Sequence, residues 1–290
     1  MEQITSVRAL QARADAERAA GRRIALVPTM GALHAGHLAL VDEARRRAEF
    51  VVVSIFVNPA QFNSPADLVA YPRTLDADLA SCRARAVDAV FLPTDAELYP
   101  SGYQTWIEVT EIAKPLCGVT RPGHFRGVAT VVAKLLIAAK AHVAVFGAKD
   151  YQQLALIRRL VADLGLDVEI VGHETVREPG GLALSSRNVH LTPETRGQAL
   201  ALSRSLAAAQ RAIDAGERQR GELEALVRQE IARAPLATLD YAELRDPDTL
   251  ALAPPELSGP TLLALAVFFP KAAGDAVRLI DNCVLRVPKE

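Results

Sequence analysis

The sequence has few cysteines and few aromatic residues. Cys82, Cys117 and Cys283 are spread over 290 residues, and aromatic residues make up 5% of the chain. An odd number of distant cysteines does not fit a disulfide framework, and none has the paired spacing of a zinc site. We therefore expect three buried thiols that pack as small hydrophobic side chains.

The sequence also lacks an excess of charge of either sign. Lys and Arg number 33 against 34 Asp and Glu, which gives a net charge of -1. A general nucleic-acid-binding protein needs a basic surface. We therefore expect no nucleic-acid partner, and an anionic ligand would have to bind at a local cationic site.

Long apolar runs are missing as well. Runs such as 51–57 and 262–269 are far shorter than the roughly 18 residues that a membrane-spanning helix needs. The first residues have neither the apolar centre nor the cleavage site of a signal peptide. We expect a soluble, cytoplasmic protein with no membrane partner.

Apolar segments alternate with amphipathic ones along the first 175 residues. Helices are predicted over 7–20, 38–48, 76–86, 127–139 and 151–163, and strands over 24–27, 51–57, 90–92, 143–146 and 168–171. Pro28 is expected to end the first of these strands, because proline donates no ladder hydrogen bond. Continuous β-branched strands between helices favour an α/β domain with a parallel sheet, whose site lies at the carboxyl ends of the strands.

A second domain is expected to begin near residue 176. The turn-forming run 178–181 precedes two long helices predicted over 193–215 and 220–234, and strands are predicted over 239–244, 262–269 and 277–280. At about 150 residues per domain, the length also fits two domains. The expected organisation is a domain of residues 1–175 followed by a smaller α+β domain of residues 176–290.

A histidine motif follows the first of these predicted strands. His34 and His37 flank Gly36 just before a predicted helix, so both imidazoles and the helix N-terminus can converge on a phosphate chain. The alternative is a pair of surface or capping histidines. The sequence contains neither a Walker A loop nor a Gly-x-Gly-x-x-Gly fingerprint, the common alternatives for phosphate binding.

Two further segments combine cations with hydroxyl or amide groups. Lys149 is suited to phosphate, Asp150 to a ribose hydroxyl, and Gln153 lies one turn further along, although Asp150 could instead cap a helix beside a solvated lysine. Ser185, Ser186 and Arg187 can close over a triphosphate. Alternatively, this segment caps the N-terminus of the helix after Pro193, although Thr192 is the better candidate for that cap.

Three other segments suit a substrate or a metal ion. Gln61 can bind a carboxylate and hydroxyls without adding charge. Asp76 and Asp78 could hold magnesium through water, but an acidic first helical turn is the commoner reason for such a pattern. Arg121 and His124 place a cation and an imidazole in one loop, either as a site or as a solvated turn.

Taken together, these segments resemble the pantothenate synthetase family, the pantoate–β-alanine ligases. The near-verbatim matches are 27–31, 34–37, 54–59, 61–62, 71–74, 121–127, 149–153 and 185–188. The resemblance implies a homodimer with a Rossmann-like nucleotidyltransferase domain and a smaller lid domain. It also implies ATP and Mg²⁺, activation of (R)-pantoate as pantoyl adenylate with release of pyrophosphate, and displacement of AMP by β-alanine.

The resemblance also assigns roles to individual residues. The implied catalytic residues are His34, His37, Lys149, Ser185, Ser186 and Arg187. The same six and Pro28, Thr29, Met30, Gly36, Gly147, Asp150, Val176 and Leu184 are implied for ATP binding. Met30, Gln61 and Gln153 are implied for pantoate, Gln61 and His124 for β-alanine, and Asp78 for magnesium.

Three positions depart from the family pattern. Ala148, Ala60 and Ala77 stand where the family usually has Glu, Met, and a polar or acidic residue. These changes bear on a charge partner for Lys149, on the wall of the pantoate pocket and on the metal site. No residue stands out as the base that takes the proton from the β-alanine amine.

Two alternative functions fit part of the pattern. A cytidylyl- or adenylyltransferase of the same fold would share the histidine motif but keep the nucleotide in its product. A nucleotide-sensing module would bind without turnover, and it would not need uncharged Gln61 and Gln153 beside a phosphate site.

Overall fold

The structure is a computed structural model that describes residues 1–271 and 276–288. By their contacts, the residues divide into two units. The first unit contains residues 1–148 and 152–174, and the second contains residues 149–151 and 175–290. The sequence places all of 149–151 in the first domain, whereas their contacts group them with the C-terminal residues. The roles of the two units as a binding domain and a lid stay predictions.

The first unit is built around a parallel sheet. Its strands are β1 (Glu2–Ile4), β2 (Ile24–Thr29), β3 (Phe50–Ile55), β4 (Ala89–Phe91), β5 (Val143–Gly147) and β6 (Glu169–His173). They lie in the order β1-β4-β3-β2-β5-β6, and every pair is parallel. The predicted α/β class with a parallel sheet is confirmed.

Helices connect these strands. They are α1 (Val7–Ala19), α2 (Ala35–Arg47), α3 (Pro65–Ala70), α4 (Leu75–Ala84), α5 (Asp95–Leu98), α6 (Cys117–Thr120), α7 (His124–Ala139) and α8 (Tyr151–Leu164). Short 3₁₀ turns cover Pro59–Gln61 and Ala148–Asp150. Buried residues of β2, β3, β4 and β5 pack against Leu40, Val41 and Ala44 of α2 and Leu79 and Cys82 of α4. Apolar packing therefore holds the ends of these strands, and the loops that follow them, in place.

The prediction that β2 ends before Pro28 is wrong, because β2 continues to Thr29. The Thr29 carbonyl accepts from the Phe56 amide at 3.1 Å and therefore points toward β3. Because successive residues of a strand alternate in direction, the backbone groups of Pro28 point to the opposite side. On that side β5 pairs only with Ala25 and Leu26. Pro28 therefore lies where no ladder donor is needed.

The second unit combines helices with an antiparallel sheet. It contains α9 (Pro193–Ala199), α10 (Ala201–Asp214), α11 (Arg220–Ala232) and a 3₁₀ turn over Ser186–His190. In its described residues, β7 (Thr238–Arg245), β8 (Thr261–Phe269) and β9 (Val277–Leu285) form one sheet in that order. The α+β prediction is confirmed, but the single helix predicted over 193–215 is wrong, because it is divided at Leu200.

The structure also bears on the expectations for the cysteines and for membrane-spanning helices. Cys82 is buried, but Cys117 and Cys283 are only partly buried, so the expectation of three buried thiols is wrong for two of them. In residues 1–271 and 276–288, no helix is both long and apolar enough to cross a membrane.

Candidate active site

Polar loops follow three neighbouring strands of the parallel sheet. β2 lies between β3 and β5 in the sheet. His34 follows β2, Gln61 follows β3, and Gly147 is the last residue of β5. The carboxyl ends of parallel strands meet at one edge, where ligands of open α/β sheets bind. This is the edge at which the sequence predicts the site.

The loop after β2 turns sharply before helix α2. Gly31 and Ala32 both have left-handed backbone conformations, with φ of 81° and 50°. Such a turn aims successive backbone N–H groups at one point. The Ala32 and Leu33 amides donate to the two carboxylate oxygens of Asp78, at 2.9 and 2.8 Å. Asp78 therefore binds the protein's own backbone.

His34 and His37 cap the start of α2. The Gly36 amide donates to Nδ1 of His34 at 3.2 Å, and the His34 amide donates to Nδ1 of His37 at 3.4 Å. The two rings lie 4.0 Å apart between centroids. Because Nδ1 accepts in both, each neutral ring carries its proton on Nε2, the N–H that a phosphate oxygen can accept from. The capping alternative is thus confirmed, and it fixes the tautomer that phosphate binding needs.

The residues present do not fit a protein-held magnesium site at Asp78. Its side chain is 2% exposed, and the Thr74 hydroxyl lies 3.2 Å from each of its oxygens, in addition to the two backbone donors. Magnesium requires oxygen ligands that face it with near-octahedral geometry and usually keeps several waters. Among the described residues, no group of three or more His, Cys, Asp or Glu side chains could hold a metal ion.

The amide of Gln61 has a defined orientation. The Ala60 amide donates to Oδ1 of Asn58 at 3.3 Å, and Nδ2 of Asn58 donates to the Gly127 carbonyl at 3.2 Å. These backbone partners fix Asn58, whose Nδ2 also donates to Oε1 of Gln61 at 3.1 Å. Nε2 of Gln61 then points to Sδ of Met30 at 3.1 Å. The structure thus brings Gln61 and Met30 together, with the Gln61 donors on the Met30 side.

His124 supports the Gln61 backbone. The Gln61 carbonyl can only accept, so Nδ1 of His124 donates to it at 2.7 Å. Nε2 of His124 faces the Arg121 guanidinium at 3.2 Å and accepts from it. Arg121 also donates to the Gln61 carbonyl at 3.4 Å. Both ring nitrogens are engaged in these contacts, and the contact of His124 with β-alanine stays a prediction.

Gln153 is half-buried in the first turn of α8. Its neighbour Gln152 is buried and structural, because its amide accepts from the Cys117 amide at 3.1 Å and donates to the Ile112 and Pro115 carbonyls at 2.9 and 2.7 Å. Of the two adjacent glutamines, Gln153 is the one on the more exposed face, as a substrate contact requires.

In the second unit, Lys149 has an acidic neighbour and a backbone anchor. Its ammonium lies 3.7 Å from the carboxylate of Asp150. Nδ2 of Asn282, on β9, donates to the Lys149 carbonyl at 2.7 Å. Asp150 therefore supplies the charge partner that Ala148 cannot provide.

Lys149 lines one cavity with two of the residues predicted to bind phosphate. Ser185 and Arg187 share this cavity with it, and its other polar lining residues are Asn188 and, on β9, Arg278 and Asp281. Val176 and Leu184, predicted beside ATP, flank the loop before it, where the Leu184 amide donates to the Val176 carbonyl at 2.9 Å. The structure thus brings three of the predicted residues together within this unit.

The loop that carries the serines is anchored through its neighbours. Ser185 caps the 3₁₀ turn Ser186–His190 by accepting from the Arg187 amide at 3.2 Å, whereas Thr192 caps α9 as the sequence indicates. Glu178 accepts from Nδ2 of Asn188 at 3.0 Å and from Arg196 at 2.6 Å. Burial raises the pKa of Glu178, but the hydrogen bonds from Arg196 and Asn188 outweigh it and lower the pKa below its usual value.

An ion pair between half-buried Arg177 and buried Asp281 holds the other side of this loop. Arg177 donates to both oxygens of Asp281 at 2.7 and 2.9 Å, and Asp281 is 2% exposed. Bidentate pairing of this kind fixes geometry as well as charge. Burial, followed by the nearby Asp281 charge, raises the pKa of the Cys283 thiol to about 12, so this thiol is a poor nucleophile.

The sequence does not single out the residues that orient the site. Asn58, Tyr99 and Asp281 act through hydrogen bonds to other side chains, and the Tyr99 hydroxyl donates to Oδ1 of Asn58 at 2.9 Å. These partners lie 41 and 104 positions apart in the pairs Tyr99–Asn58 and Arg177–Asp281. Local spacing carries no signal for such pairs, although an Asn directly after a buried strand is a recognisable hint.

Comparison with known proteins places the sequence in one family. Residues 2–284 match the family model described as Pantoate-beta-alanine ligase. The chain is 53% identical over 286 residues to the pantothenate synthetase of Syntrophobacter fumaroxidans, covering 99% of both chains. It is 50% identical to that of Geobacter sulfurreducens, covering 98% of this chain and 99% of the relative.

Solved structures agree with this similarity. The pantothenate synthetase of Thermus thermophilus has a TM-score of 0.91 and 42% identity, covering 99% of this chain and 100% of that chain. The pantoate-β-alanine ligase of Francisella tularensis, solved in complex with beta-gamma ATP and β-alanine, has a TM-score of 0.76 and 34% identity, covering 98% and 97%. The match extends through both units.

Proposed function

Because the chain belongs to the pantoate-β-alanine ligase family, we propose that its residues His34, His37, Lys149, Ser185, Ser186 and Arg187 bind the phosphates of ATP during the ligation of (R)-pantoate to β-alanine. The observation that carries this assignment is the capped histidine pair, in which both rings accept at Nδ1 and carry their proton on Nε2. ATP and β-alanine as ligands are supported by the complex of the Francisella tularensis relative.

The reaction proceeds in two transfers. The pantoate carboxylate attacks the α-phosphorus of ATP, the bond to pyrophosphate breaks, and pantoyl adenylate forms. The β-alanine amine then attacks the acyl carbon, AMP leaves with the bonding electrons, and the amine loses a proton. The first transfer needs alignment of two anions and neutralisation of phosphate charge rather than a protein nucleophile.

Each residue set contributes a part of that requirement. The Nε2–H groups of His34 and His37 donate to phosphate oxygens, and the Lys149 ammonium and the Arg187 guanidinium neutralise the charge of the departing pyrophosphate. Ser185 and Ser186 add hydroxyl donors, and the backbone of Val176 and Leu184 borders this loop. Pro28, Thr29, Gly36, Gly147 and Asp150 are assigned to the remaining contacts with ATP.

Pantoate is assigned to Met30, Gln61 and Gln153. The Gln61 amide is fixed so that its NH₂ group lies on the Met30 side, where it can donate to the carboxylate or hydroxyls of pantoate. An amide orients a carboxylate without the tight ion pair that would reduce its nucleophilicity. The β-alanine contacts at Gln61 and His124 are part of the same proposal.

Magnesium is assigned to the phosphates of ATP rather than to a carboxylate site of the protein. Magnesium commonly binds through substrate phosphates and water, and both oxygens of Asp78 already accept backbone hydrogen bonds. A homodimer and a cytoplasmic location complete the proposal. Sedimentation equilibrium of the purified protein tests the dimer.

Isotope exchange tests the order of the two transfers. In the absence of β-alanine, the protein is expected to exchange labelled pyrophosphate into ATP only when pantoate is present, because adenylation is complete before the amine arrives. No exchange by protein that makes pantothenate would contradict a separate adenylation step. A preference for CTP without any use of β-alanine would indicate a cytidylyltransferase, and nucleotide binding without pyrophosphate release would indicate a sensor.

A further inference from the structure

We propose that Asp78 is a positioning residue of the adenylation step, whose carboxylate holds the turn of residues 30–33 in the conformation that presents Met30 and the histidine pair to the substrates. The proposal rests on the assignment of His34 and His37 to the phosphates of ATP. It gives Asp78 a role through the backbone, in place of the metal ligation that the family resemblance implies.

The turn and the carboxylate are complementary. Gly31 and Ala32 adopt successive left-handed conformations, which make the next two N–H groups converge. Asp78 receives one of these groups on each oxygen, at 2.9 Å from Ala32 and 2.8 Å from Leu33. Hydrogen bonds to an ionised acceptor are stronger than neutral ones, so the carboxylate selects this backbone conformation over others.

The surroundings of Asp78 keep its carboxylate in place. The Thr74 hydroxyl lies 3.2 Å from both oxygens, and Asp78 is 2% exposed, which shields these bonds from water. A Cβ atom at Gly31 would lie 3.0 Å from Oδ2 of Asp78 and 3.0 Å from the Ile55 side chain. The lack of a side chain at Gly31 therefore permits the close approach of the turn to Asp78.

The turn needs this support because one of its residues is not glycine. A left-handed conformation is unfavourable for alanine, since its Cβ crowds the backbone. Ala32 adopts it with φ of 50°. Without the carboxylate, the turn would lose two hydrogen bonds and keep the unfavourable conformation, so other conformations of residues 30–33 would become populated.

The consequence for the reaction follows from chain connectivity. The turn joins Thr29, the last residue of β2, to His34, the cap of α2. Met30, which contacts Nε2 of Gln61 through Sδ, lies at its start. A change in the turn therefore moves the pantoate contact and the first phosphate-binding histidine together, while the rest of the sheet stays in place.

The experiment compares Asp78→Asn with Asp67→Asn, an exposed acidic residue in the first turn of α3. Asp78→Asn keeps the shape but places an NH₂ group against one of the two backbone donors. Hydrogen exchange of the Ala32 and Leu33 amides is expected to accelerate at least tenfold. The kcat of pantoate-dependent pyrophosphate exchange is expected to fall at least about tenfold, with a magnesium requirement unchanged within twofold. Asp67→Asn is expected to change neither quantity.

Ala32→Gly provides a test by rescue. Glycine removes the penalty of the left-handed conformation, so adding Ala32→Gly to Asp78→Asn is expected to recover at least about threefold in kcat. Such recovery is not expected for a lost metal ligand. If Asp78→Asn does not fold, Thr74→Val takes its place, because Thr74 is exposed and its side chain contacts Asp78 through the hydroxyl, whereas the hydrogen bond from the Asp78 amide goes to the Thr74 carbonyl, which valine keeps. The expected loss in kcat is then about threefold, and no loss would overturn the proposal.

Each result separates this proposal from the proposed function. If Asp78→Asn raises the magnesium requirement tenfold and saturating magnesium restores kcat, Asp78 is a metal ligand and the proposal is wrong. If the Ala32 and Leu33 amides of the Asp78→Asn protein exchange faster while kcat is unchanged, the turn does not position the site, although the proposed function stands. If the unmodified protein shows no pantoate-dependent exchange and makes no pantothenate, the proposed function itself fails.

Discussion

His34 and His37 cap a helix, and the proposed function gives them a chemical role as well. Each accepts a backbone hydrogen bond at Nδ1, and the ring centroids lie 4.0 Å apart. A lost helix cap costs about 1 kcal/mol, which a domain of this size tolerates. Loss of a preorganised donor to developing charge is more severe, at about a hundredfold or more in rate. Replacement of one ring therefore separates the two roles.

His37→Ala is expected to lower pantoate-dependent pyrophosphate exchange at least about a hundredfold while the far-UV circular dichroism stays unchanged. Lys149→Ala is expected to lose as much. The matched control is His142→Ala, because Nδ1 of His142 also accepts a backbone hydrogen bond, from Ile24 at 2.9 Å, but at the amino ends of β2 and β5. Near-normal exchange by folded His37→Ala would refute the phosphate assignment.

Gln61 permits a test of how pantoate is held. If Gln61 holds pantoate as proposed, Gln61→Ala removes donors to the pantoate carboxylate, and hydrogen bonds to charged groups contribute about 1.5 to 3 kcal/mol. The pantoate concentration for half-maximal exchange is therefore expected to rise about 10- to 100-fold, while calorimetry shows ATP binding within a few-fold of normal. Equal weakening of both ligands would instead place Gln61 in the nucleotide site or in the scaffold.

At the scale of elements, the sequence predicts the type of most helices and strands but not all of their ends. β3 is a run of buried, mostly β-branched residues, so its composition alone identifies it. The strand predicted over 277–280 continues to Leu285 because β9 pairs with β8 along its whole length. The sequence does not predict β1, since Glu2–Ile4 is short and gains its ladder only from β4, 87 positions away in the pair Glu2–Ala89.

Helix starts show the same dependence on contacts outside the element. α2 begins at Ala35 rather than at residue 38, because His34 and His37 together cap it. Histidine is not among the usual capping residues, so the propensity signal points further along the chain. The break between α9 and α10 lies at Leu200, which is neither Gly nor Pro, and α10 begins at Ala201.

The loop of residues 178–188 gives a prediction for acid stability. The pKa of Glu178 is lower in the folded protein than its ordinary value of 4.5. A carboxyl group whose pKa is lowered by folding stabilises the folded state at pH values above its pKa in the unfolded chain. This contribution is lost as the pH falls through its pKa in the folded protein. Glu178→Gln is therefore expected to reduce the free energy of unfolding at pH 7 by about 1 kcal/mol or less, since the Glu178–Arg196 pair is partly exposed.

The pH dependence distinguishes this charge effect from a packing effect. Because the two proteins differ only at residue 178, the difference between their free energies of unfolding reports this side chain. Urea unfolding is expected to show a difference that is largest near neutral pH and shrinks toward zero below about pH 4. A difference that stays constant from pH 7 to pH 3.5 would show that the charge of Glu178 does not stabilise the loop.

At the scale of the whole molecule, composition excludes functions while ordered motifs identify one. The net charge of -1 predicts no general attraction for polyanions, so the proposed phosphate binding depends on a few local groups such as Lys149 and Arg187. The sequence predicts these groups because they stand in turns directly after strands or turns. It does not predict that both oxygens of Asp78 are engaged by residues 32 and 33, since that contact depends on how the turn folds back onto α4.

Helix α8 supplies a matched pair of positions for a test of the fold itself. Leu156 is 0% exposed and Leu164, two turns later on the same helix, is 51% exposed. Leu→Ala costs little in helix propensity, so the two substitutions differ mainly in the cavity that they leave. Leu156→Ala is expected to lower the free energy of unfolding by about 2 to 5 kcal/mol, and Leu164→Ala by less than about 0.5 kcal/mol. Urea unfolding followed by circular dichroism measures both, and similar losses at the two positions would mean that α8 does not pack as the structure describes.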